Sequence, residues 1–364
     1  MNGAELNNVI KNHYLIDLSF ITKKKITGIE RYALNLFSTL IYLANKKKIR
    51  LTVIASKNLK LDQGNYSLIK ISDSSYINLI LKNLIINFKK FDFYIEPGFP
   101  IIINLKKIKI LRIIHDDFFV SRKKFNNWKQ KFILSFFEKF LLKKHYKVIT
   151  VSNYSKSKIE KIYKKKIFVL PNMVSPIFIN KCNYNLKKKF SSKKLLCVGR
   201  IFDRKNYEFA IKVFNELKNF DNQFTIEFIG NFGWNYDNFL SEFNKSPFKN
   251  DIILNTNAND EDLIDSYNHS SMILIPSHDE GFCIPFIEGQ YFANPIISND
   301  IEIFHEIGNN SSIIMKLDAQ KWAIEILKIF SSISIYENIA SKSKTNSENY
   351  TLKNLVKITH EIFL

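Results

Sequence analysis

The sequence predicts an α/β protein of two domains, each with a doubly wound parallel sheet between layers of helices. Its 364 residues are too many for one compact core and suit two domains. Short apolar runs typical of buried parallel strands alternate with stretches of helical periodicity. This alternation stops near residues 172–185, around Pro171 and Pro176, which places a domain boundary there.

The composition excludes several classes of protein. A hydrophobic fraction of 46% excludes global disorder. The three cysteines lie far apart, without the spacing of a disulfide framework or a zinc site. No apolar run approaches the length of a membrane span, and the N-terminus lacks the layout of a signal peptide. We therefore expect a reduced cytoplasmic setting.

The net charge of +20 is concentrated in the first half of the chain. Residues 1–175 contain 34 Lys and Arg against 11 Asp and Glu, whereas the remainder contains 20 against 23. Such a basic half favours an anionic partner: nucleic acid, anionic lipid or a phosphorylated substrate. The basic residues are mostly Lys and no nucleic-acid-binding module is recognisable, so we do not expect nucleic acid.

In the first half, polar and glycine residues follow two predicted strands. Residues 14–18 form the first strand; Gly28 and a helix from residue 29 follow it, a layout that suits a phosphate or acceptor site. Residues 50–56, 91–96 and 108–114 predict further strands, and the last is followed by His115. Open α/β sheets bind ligands at this carboxyl edge.

Residues 128–147 predict an amphipathic helix with large aromatic residues on one face and lysines mainly elsewhere. Such a helix suits the surface of an anionic membrane. Packing of the same apolar face on the protein's own sheet explains it equally well, so both interpretations remain open.

In the second half, two basic residues follow the strand predicted at 194–199. Arg200 comes directly after it, and Lys205 precedes an amphipathic helix. Fixed cations stabilise the negative charge that develops on a departing phosphate; Arg clamps two oxygens and Lys acts as a point charge. We therefore predict a phosphate-binding role for both.

Residues 276–288 combine a strand end, a glycine turn and a helix start. The apolar run 272–276 predicts the strand, and Pro285 suits the first position of the helix. The unpaired amides near Phe282, Cys283 and Ile284 then favour an anion. Two carboxylates flank the turn: Glu280 in the loop, where it can face a ligand, and Glu288 about one turn into the helix.

The remaining second-half elements are predicted strands at 224–230, 252–254 and 295–298, and helices at 260–269 and 351–363. The triplet Asp260-Glu-Asp262 has the form of a metal-binding D-x-D motif. Because acidic residues directly before an apolar pair are typical of a helix N-terminus, we assign it to the helix start and predict no metal.

Glu280 and Glu288, seven residues apart around Gly-Phe-Cys-Ile-Pro, resemble the E-x7-E element of retaining GT-B glycosyltransferases of the group 1 type, family four. Residues 27–32, 111–116, 167–178 and 194–206 also resemble segments of that family. The resemblance implies a GT-B fold, with two Rossmann-like domains facing a cleft. It implies an acceptor domain at 1–175, a nucleotide-sugar domain at 176–350 and a helix at 351–364 that returns to the first domain.

The resemblance also implies roles for the site residues. Arg200, Lys205 and the amides after Gly281, at Phe282 and Cys283, would stabilise the leaving diphosphate. Glu288 would bind the ribose hydroxyls. Glu280 would face the donor sugar, which His115 would contact from the first domain. Gly28 would belong to a donor-binding loop, although many relatives carry two glycines there.

The implied reaction transfers a hexosyl unit from a nucleoside diphosphate sugar, with retention and without a metal or other cofactor. The implied acceptor is a lipid-linked oligosaccharide of a bacterial surface polysaccharide, reached from the inner face of the cell membrane. Alternatives are a nucleotide-sugar epimerase or glycogen-synthase-like enzyme, a basic nucleic-acid-binding protein, and an inactive subunit. The base, the sugar, the linkage and the oligomeric state stay open.

Overall fold

The computed structural model describes residues 12–21, 26–72, 84–85, 90–98, 108–116, 146–161, 163 and 166–364. The chain divides into two compact units. The first consists of residues 1–172 and 352–364, and the second of residues 173–351. The limits predicted from the sequence were 175/176 and 350/351.

Strands and helices alternate in both units. The described strands are β1 His13–Leu18, β2 Arg50–Ser56, β3 Ser67–Ile71, β4 Phe93–Glu96, β5 Lys109–Ile114, β6 Lys147–Thr150, β7 Ile167–Val169, β8 Lys194–Val198, β9 Thr225–Ile229, β10 Ile252–Asn255, β11 Met272–Ile275, β12 Ile296–Asn299 and β13 Ile313–Met315. The described α-helices of at least seven residues are α1 Gly28–Asn45, α2 Asn153–Glu160, α3 Leu186–Ser192, α4 Tyr207–Phe220, α5 Asp237–Lys245, α6 Asp260–His269, α7 Ile284–Tyr291, α8 Glu302–Gly308, α9 Ala319–Ile329, α10 Ile333–Ser347 and α11 Leu352–Phe363.

In the first unit, the described strands form one parallel sheet in the order β3-β2-β1-β4-β5-β6-β7. The order reverses direction between β1 and β4, which is where an open α/β sheet leaves a crevice at its carboxyl edge. Strand β3 was not predicted. Its residues are mostly exposed at the edge of the sheet, so they lack the apolar run that identifies a buried strand.

The C-terminal helix α11 packs on this first sheet. The hydroxyl of Tyr14 on β1 donates a hydrogen bond to the carbonyl of Phe363. The ammonium of Lys147, at the start of β6, donates to the carbonyl of Ile362 over 2.5 Å. Helix α11 therefore belongs to the first unit, although it follows the second unit in the sequence.

The second unit repeats the arrangement with a six-stranded parallel sheet in the order β10-β9-β8-β11-β12-β13. Its direction reverses between β8 and β11. Phe214 of α4, Phe228 of β9 and Trp322 of α9 are fully buried in its core. These apolar side chains fix the helices on the sheet, so the strand ends at the reversal point have defined positions.

The acidic triplet 260–262 forms the first turn of α6, as predicted. The side chain of Asn259 accepts hydrogen bonds from the amides of Glu261 and Asp262, at 2.7 and 3.1 Å. The carboxylate of Asp262 accepts one in return from the amide of Asn259 at 2.8 Å. This is a capping box, and the acidic residues serve the helix terminus.

Of the predicted membrane-surface helix 128–147, residues 128–145 lie outside the described residues. Among the described helices, none has the length and apolar character needed to cross a bilayer.

Candidate active site

The site lies at the carboxyl ends of β8 and β11, where the second sheet reverses direction. Directly after β8, Gly199 has a φ of +136°, and after β9, Gly230 has a φ of +147°. A Cβ on Gly230 would lie 2.1 Å from the carbonyl oxygen of Gly199. Glycine is therefore required at Gly230, where two backbone segments touch and φ is positive.

Lys205 places a positive charge near the carboxyl end of β8. It ends the single 3₁₀ turn Asp203–Lys205 and is buried, with 8% of its surface exposed. A Cβ on Gly199 would lie 3.3 Å from Lys205 Cε, so the lysine stem lies against the end of β8. Its Nζ donates to Glu280 Oε1 over 2.6 Å.

The turn that carries Lys205 is joined to the loop that carries Glu280. Asn206 adopts a left-handed conformation with φ of 53°, and its side-chain amide donates to the carbonyl of Pro276 over 3.2 Å. From the other side, the side chain of Asn299 donates to the carbonyl of Ser277 over 3.0 Å. These bonds fix the distance between the two loops that supply the ion pair.

Glu280 is also buried, and it is held by three side chains. Besides Lys205, Ser277 Oγ donates to Oε1 over 2.9 Å, and Arg204 Nη2 lies 3.9 Å from Oε2. Burial raises the pKa of Glu280, but Lys205, Arg204 and Ser277 outweigh it and bring the pKa below its usual value. Burial lowers the pKa of Lys205, but the negative charge of Glu280 outweighs burial, so the pKa lies above its usual value. Both groups are therefore charged around neutral pH.

Glu288 lies one turn into α7, as predicted, and is buried. Its Oε2 accepts a hydrogen bond from the hydroxyl of Tyr267 on α6 over 3.0 Å. The ring of Tyr267 stacks on Phe292, with centroids 5.2 Å apart. The carboxylate thus has a fixed orientation, set by two neighbouring helices of the second unit.

The turn before α7 has the geometry of a helix start. Cys283 is the N-cap residue, with a left-handed backbone at φ of 74°, and Phe282 packs edge-on against Tyr350 at 5.7 Å. Burial raises the pKa of the Cys283 thiol to about 12. The thiol is therefore neutral. Cys283, like Gly281 two residues before it, can bind an anion only through its backbone.

Arg200 takes a different position from Lys205. It is exposed, and its guanidinium carbon lies 6.0 Å from the ring centroid of Trp234. The structure therefore brings Lys205 and Glu280 together, but it places Arg200 on an aromatic ring beside them.

The predicted site residues of the first unit lie at its own carboxyl edge. His115 follows β5; its Nε2 is 2.8 Å from the carbonyl of Pro97, and its ring meets Tyr32 edge-on at 4.8 Å. Burial lowers the pKa of His115. Gly28 is the first residue of α1, and a Cβ there would have nothing within 4 Å. A larger side chain would meet no steric obstacle at this position.

Sequence reasoning assigned no role to three residues of the second-unit site: Arg204, Tyr267 and Ser277. Arg204 adjoins Lys205 and Ser277 lies three residues before Glu280, so proximity in the sequence was an available signal. Tyr267 lies on a helix 21 residues before Glu288, and nothing local connects the two. Within the described residues, no three His, Cys, Asp or Glu side chains gather as a metal site.

Solved structures with this architecture define the class of the fold. WaaG, a glycosyltransferase involved in lipopolysaccharide biosynthesis, superposes with a TM-score of 0.69 at 14% identity, over 96% of this chain and 99% of WaaG. HepE of Anabaena, solved with UDP-glucose, superposes with a TM-score of 0.66 at 14% identity, over 97% and 99% of the two chains. The fold is GT-B, as predicted.

Sequence comparison finds a family match within the second unit. Residues 184–345 match the family model described as Glycosyl transferases group 1. The O-antigen chain mannosyltransferase RfbU of Salmonella typhimurium is 29% identical over 54% of this chain and 56% of RfbU. The serotype-specific mannosyltransferase WbdA of Escherichia coli is 26% identical over 44% of this chain and 20% of WbdA. The matches thus span only part of these relatives.

Proposed function

We propose that the chain is a glycosyltransferase that moves a hexosyl unit from a nucleoside diphosphate sugar to an oligosaccharide, with retention and without a metal. The buried pair of Lys205 and Glu280 at the reversal point of the second sheet carries this proposal. Glu280 holds the ammonium of Lys205 in place where an open α/β sheet binds ligands, and Arg204 adds a second cation there. The group 1 domain that contains the pair supports the same class of reaction.

The reaction requires stabilisation of a leaving diphosphate. As the bond between the anomeric carbon and the diphosphate oxygen breaks, negative charge develops on that oxygen. Lys205, with Arg204 and Arg200 nearby in the sequence, would stabilise it, together with the amides after Gly281. Because Lys205 is held before the donor binds, little reorganisation is needed during the reaction.

Retention follows if the acceptor hydroxyl attacks on the face from which the diphosphate departs. The new bond joins the acceptor oxygen to the anomeric carbon, and the hydroxyl proton passes to the leaving phosphate oxygen. We assign Glu280 to holding Lys205 and orienting the donor sugar, because its Oε1 already accepts two hydrogen bonds. Glu288, oriented by Tyr267, would accept hydrogen bonds from the ribose hydroxyls. The role of His115 stays a prediction.

The named relatives guide the choice of substrates. RfbU and WbdA are described as mannosyltransferases, and HepE has been solved with UDP-glucose. We propose a hexose of this type as the transferred unit. A lipid-linked oligosaccharide at the inner face of the cell membrane would suit the basic first half of the chain. Flotation with anionic vesicles at low salt tests this last part; absence of binding would remove its support.

A thermal-shift screen with GDP-, UDP-, dTDP- and CMP-sugars tests the function. A ligand that binds only the folded chain raises the Tm by mass action, by an amount that depends on its concentration relative to Kd. We expect one nucleoside diphosphate sugar to raise the Tm of the wild type. We expect Glu288→Gln to lose most of that rise, because an amide is a poorer acceptor for two ribose hydroxyls than a carboxylate.

The control is Glu337→Ala, which removes a carboxylate from α10, outside the site. It should keep the full ligand-induced rise in Tm. If no nucleotide sugar shifts the wild type, or if the two variants behave alike, the proposed donor site is wrong.

A further inference from the structure

The loop after β9 places an exposed aromatic ring beside Arg200. Trp234 is 44% exposed, and the guanidinium carbon of Arg200 lies 6.0 Å from its ring centroid, within the range of a cation–π contact. Phe202 also contacts the indole, with ring centroids 5.0 Å apart at 48°. Arg200 thus lies against an aromatic ring that a second ring supports, instead of extending alone into solvent.

The backbone holds this surface in register with the strand that leads to Arg200. The amide of Ile201 donates to the carbonyl of Asn231 over 2.9 Å, and the amide of Gly233 donates to the carbonyl of Ile201 over 2.8 Å. Ile201 and Phe232 form an isolated parallel bridge. The pairing of β8 with β9 therefore continues past both strand ends and holds the segments of Arg200 and Trp234 beside each other.

Gly233 provides the space that this contact needs. Its φ is not positive, so its backbone conformation does not require glycine. A Cβ there would lie 2.9 Å from Arg200 Cδ and 3.0 Å from Phe202 Cβ. The stem of Arg200 therefore crosses directly over Gly233 on its way to the indole, and any larger residue would displace it.

We propose that Trp234 is a positioning residue that holds Arg200 for the leaving diphosphate. Stacking uses the face of the planar guanidinium and leaves its N–H donors, which lie at the edge, available for phosphate oxygens. A held side chain also loses less rotamer freedom when the donor binds. This inference rests on the proposed function, in which Arg200 stabilises the diphosphate, and it explains why an exposed tryptophan occupies this loop.

Donor affinity and kinetics of matched variants test the inference. Trp234→Ala should raise the Kd for the nucleoside diphosphate and lower kcat/KM by about two- to fivefold, the range of an exposed cation–π contact. Trp234→Phe should lose less, because a phenyl ring retains part of the contact. Gly233→Ala should act like Trp234→Ala although it removes neither partner. Phe220→Ala, at a 68% exposed position at the end of α4, is the control and should change nothing.

A double-mutant cycle separates positioning from a general structural effect. In an Arg200→Ala background, Trp234→Ala should have no further effect on Kd or kcat/KM, because its partner is already absent. If the two losses simply multiply, or if Trp234→Ala is silent in the wild type, Trp234 does not act through Arg200 and the inference is wrong.

A measurement without ligand distinguishes this inference from the proposed function. Acrylamide quenching of the Trp234 emission, taken as the difference between each protein and its Trp234→Phe variant, should increase on Arg200→Ala because one face of the indole is uncovered. If no nucleotide binds the wild type but quenching increases, the function fails and the Arg200–Trp234 contact stands. Unchanged quenching overturns the contact whatever the nucleotides do.

Discussion

The two sheets have the same reversal of strand order, but they hold their buried ion pairs in different places. In the first unit, Asp17 at the end of β1 accepts hydrogen bonds from the backbone and hydroxyl of Ser19 and from Tyr94, which lies on β4. Arg112 on β5 pairs with Glu96 on β4, Nη1 to Oε2 at 3.4 Å, and both are buried. The bond from Tyr94 to Asp17 and the pair of Arg112 with Glu96 each join neighbouring strands of one sheet.

In the second unit, the corresponding position carries glycine at the strand ends and an ion pair between two loops. Lys205 and Glu280 come from the turn after β8 and the loop after β11, and neither lies on a strand. A pair between strands stabilises the sheet itself, whereas a pair between loops stands beyond the strand ends, where ligands bind. The same topology thus carries a buried ion pair within the sheet in one unit and beyond the strand ends in the other.

Replacing Lys205 should give the largest change. Lys205→Met removes the charge that we propose stabilises the leaving diphosphate, and it leaves Glu280 buried without its closest cation. We expect kcat to fall by about 10²- to 10³-fold, the usual effect of removing one such group. Steady-state kinetics measures it. Lys212→Met, on the exposed surface of α4, is the control. An equal loss of kcat in that variant would show that the effect is not specific to the ion pair of Lys205 with Glu280.

Replacing Arg112 should affect stability instead of catalysis. Arg112→Met leaves Glu96 buried beside a missing partner, and breaking such a pair costs about 3 kcal/mol of unfolding free energy. Urea unfolding measures this loss. At a temperature where the variant is folded, kcat should stay within about twofold of the wild type. A 100-fold fall in kcat would instead show that the reversal point of the first sheet takes part in catalysis.

Lys189 should give a smaller effect, which appears as a dependence of the free energy of unfolding on pH. It is fully buried in α3, and its Nζ donates to the carbonyls of Tyr267 and Phe292, both at 2.7 Å, and to Asn294 Oδ1 at 2.9 Å. Unlike Lys205, it has no carboxylate among these partners. Burial lowers the pKa of Lys189 to about 7, compared with 10.5 for an ordinary lysine.

The sign of that pH dependence follows from proton binding. Between pH 7 and 10.5 the unfolded chain holds the Lys189 proton and the folded chain has largely lost it, so the free energy of unfolding rises with pH. The slope from this residue is about 1 kcal/mol per pH unit near pH 8. Urea unfolding of the wild type and Lys189→Met at pH 7, 8 and 9 measures it. Parallel profiles for the two proteins would show that Lys189 stays charged when folded.

The sequence by itself determined the order of most elements and the positions of the polar residues that follow the strands of the second unit. Buried parallel strands are continuous apolar runs, and open α/β sheets bind ligands at their carboxyl edge, so Lys205, Glu280 and Glu288 could be predicted as site residues from local patterns. The edge strand β3 lacked that pattern because its side chains are mostly exposed.

Only the tertiary structure decided which side chains meet. Glu280 was expected to face a ligand, yet it is buried against Lys205, 75 residues earlier in the chain, and Ser277. Tyr267 orients Glu288 from another helix, and Arg200 lies on Trp234 across Gly233. Apart from the bond between Ser277 and Glu280, each of these contacts joins residues of different segments that are distant in the sequence. Their distances depend on how the sheet and helices pack, and a local sequence pattern carries no information about that packing.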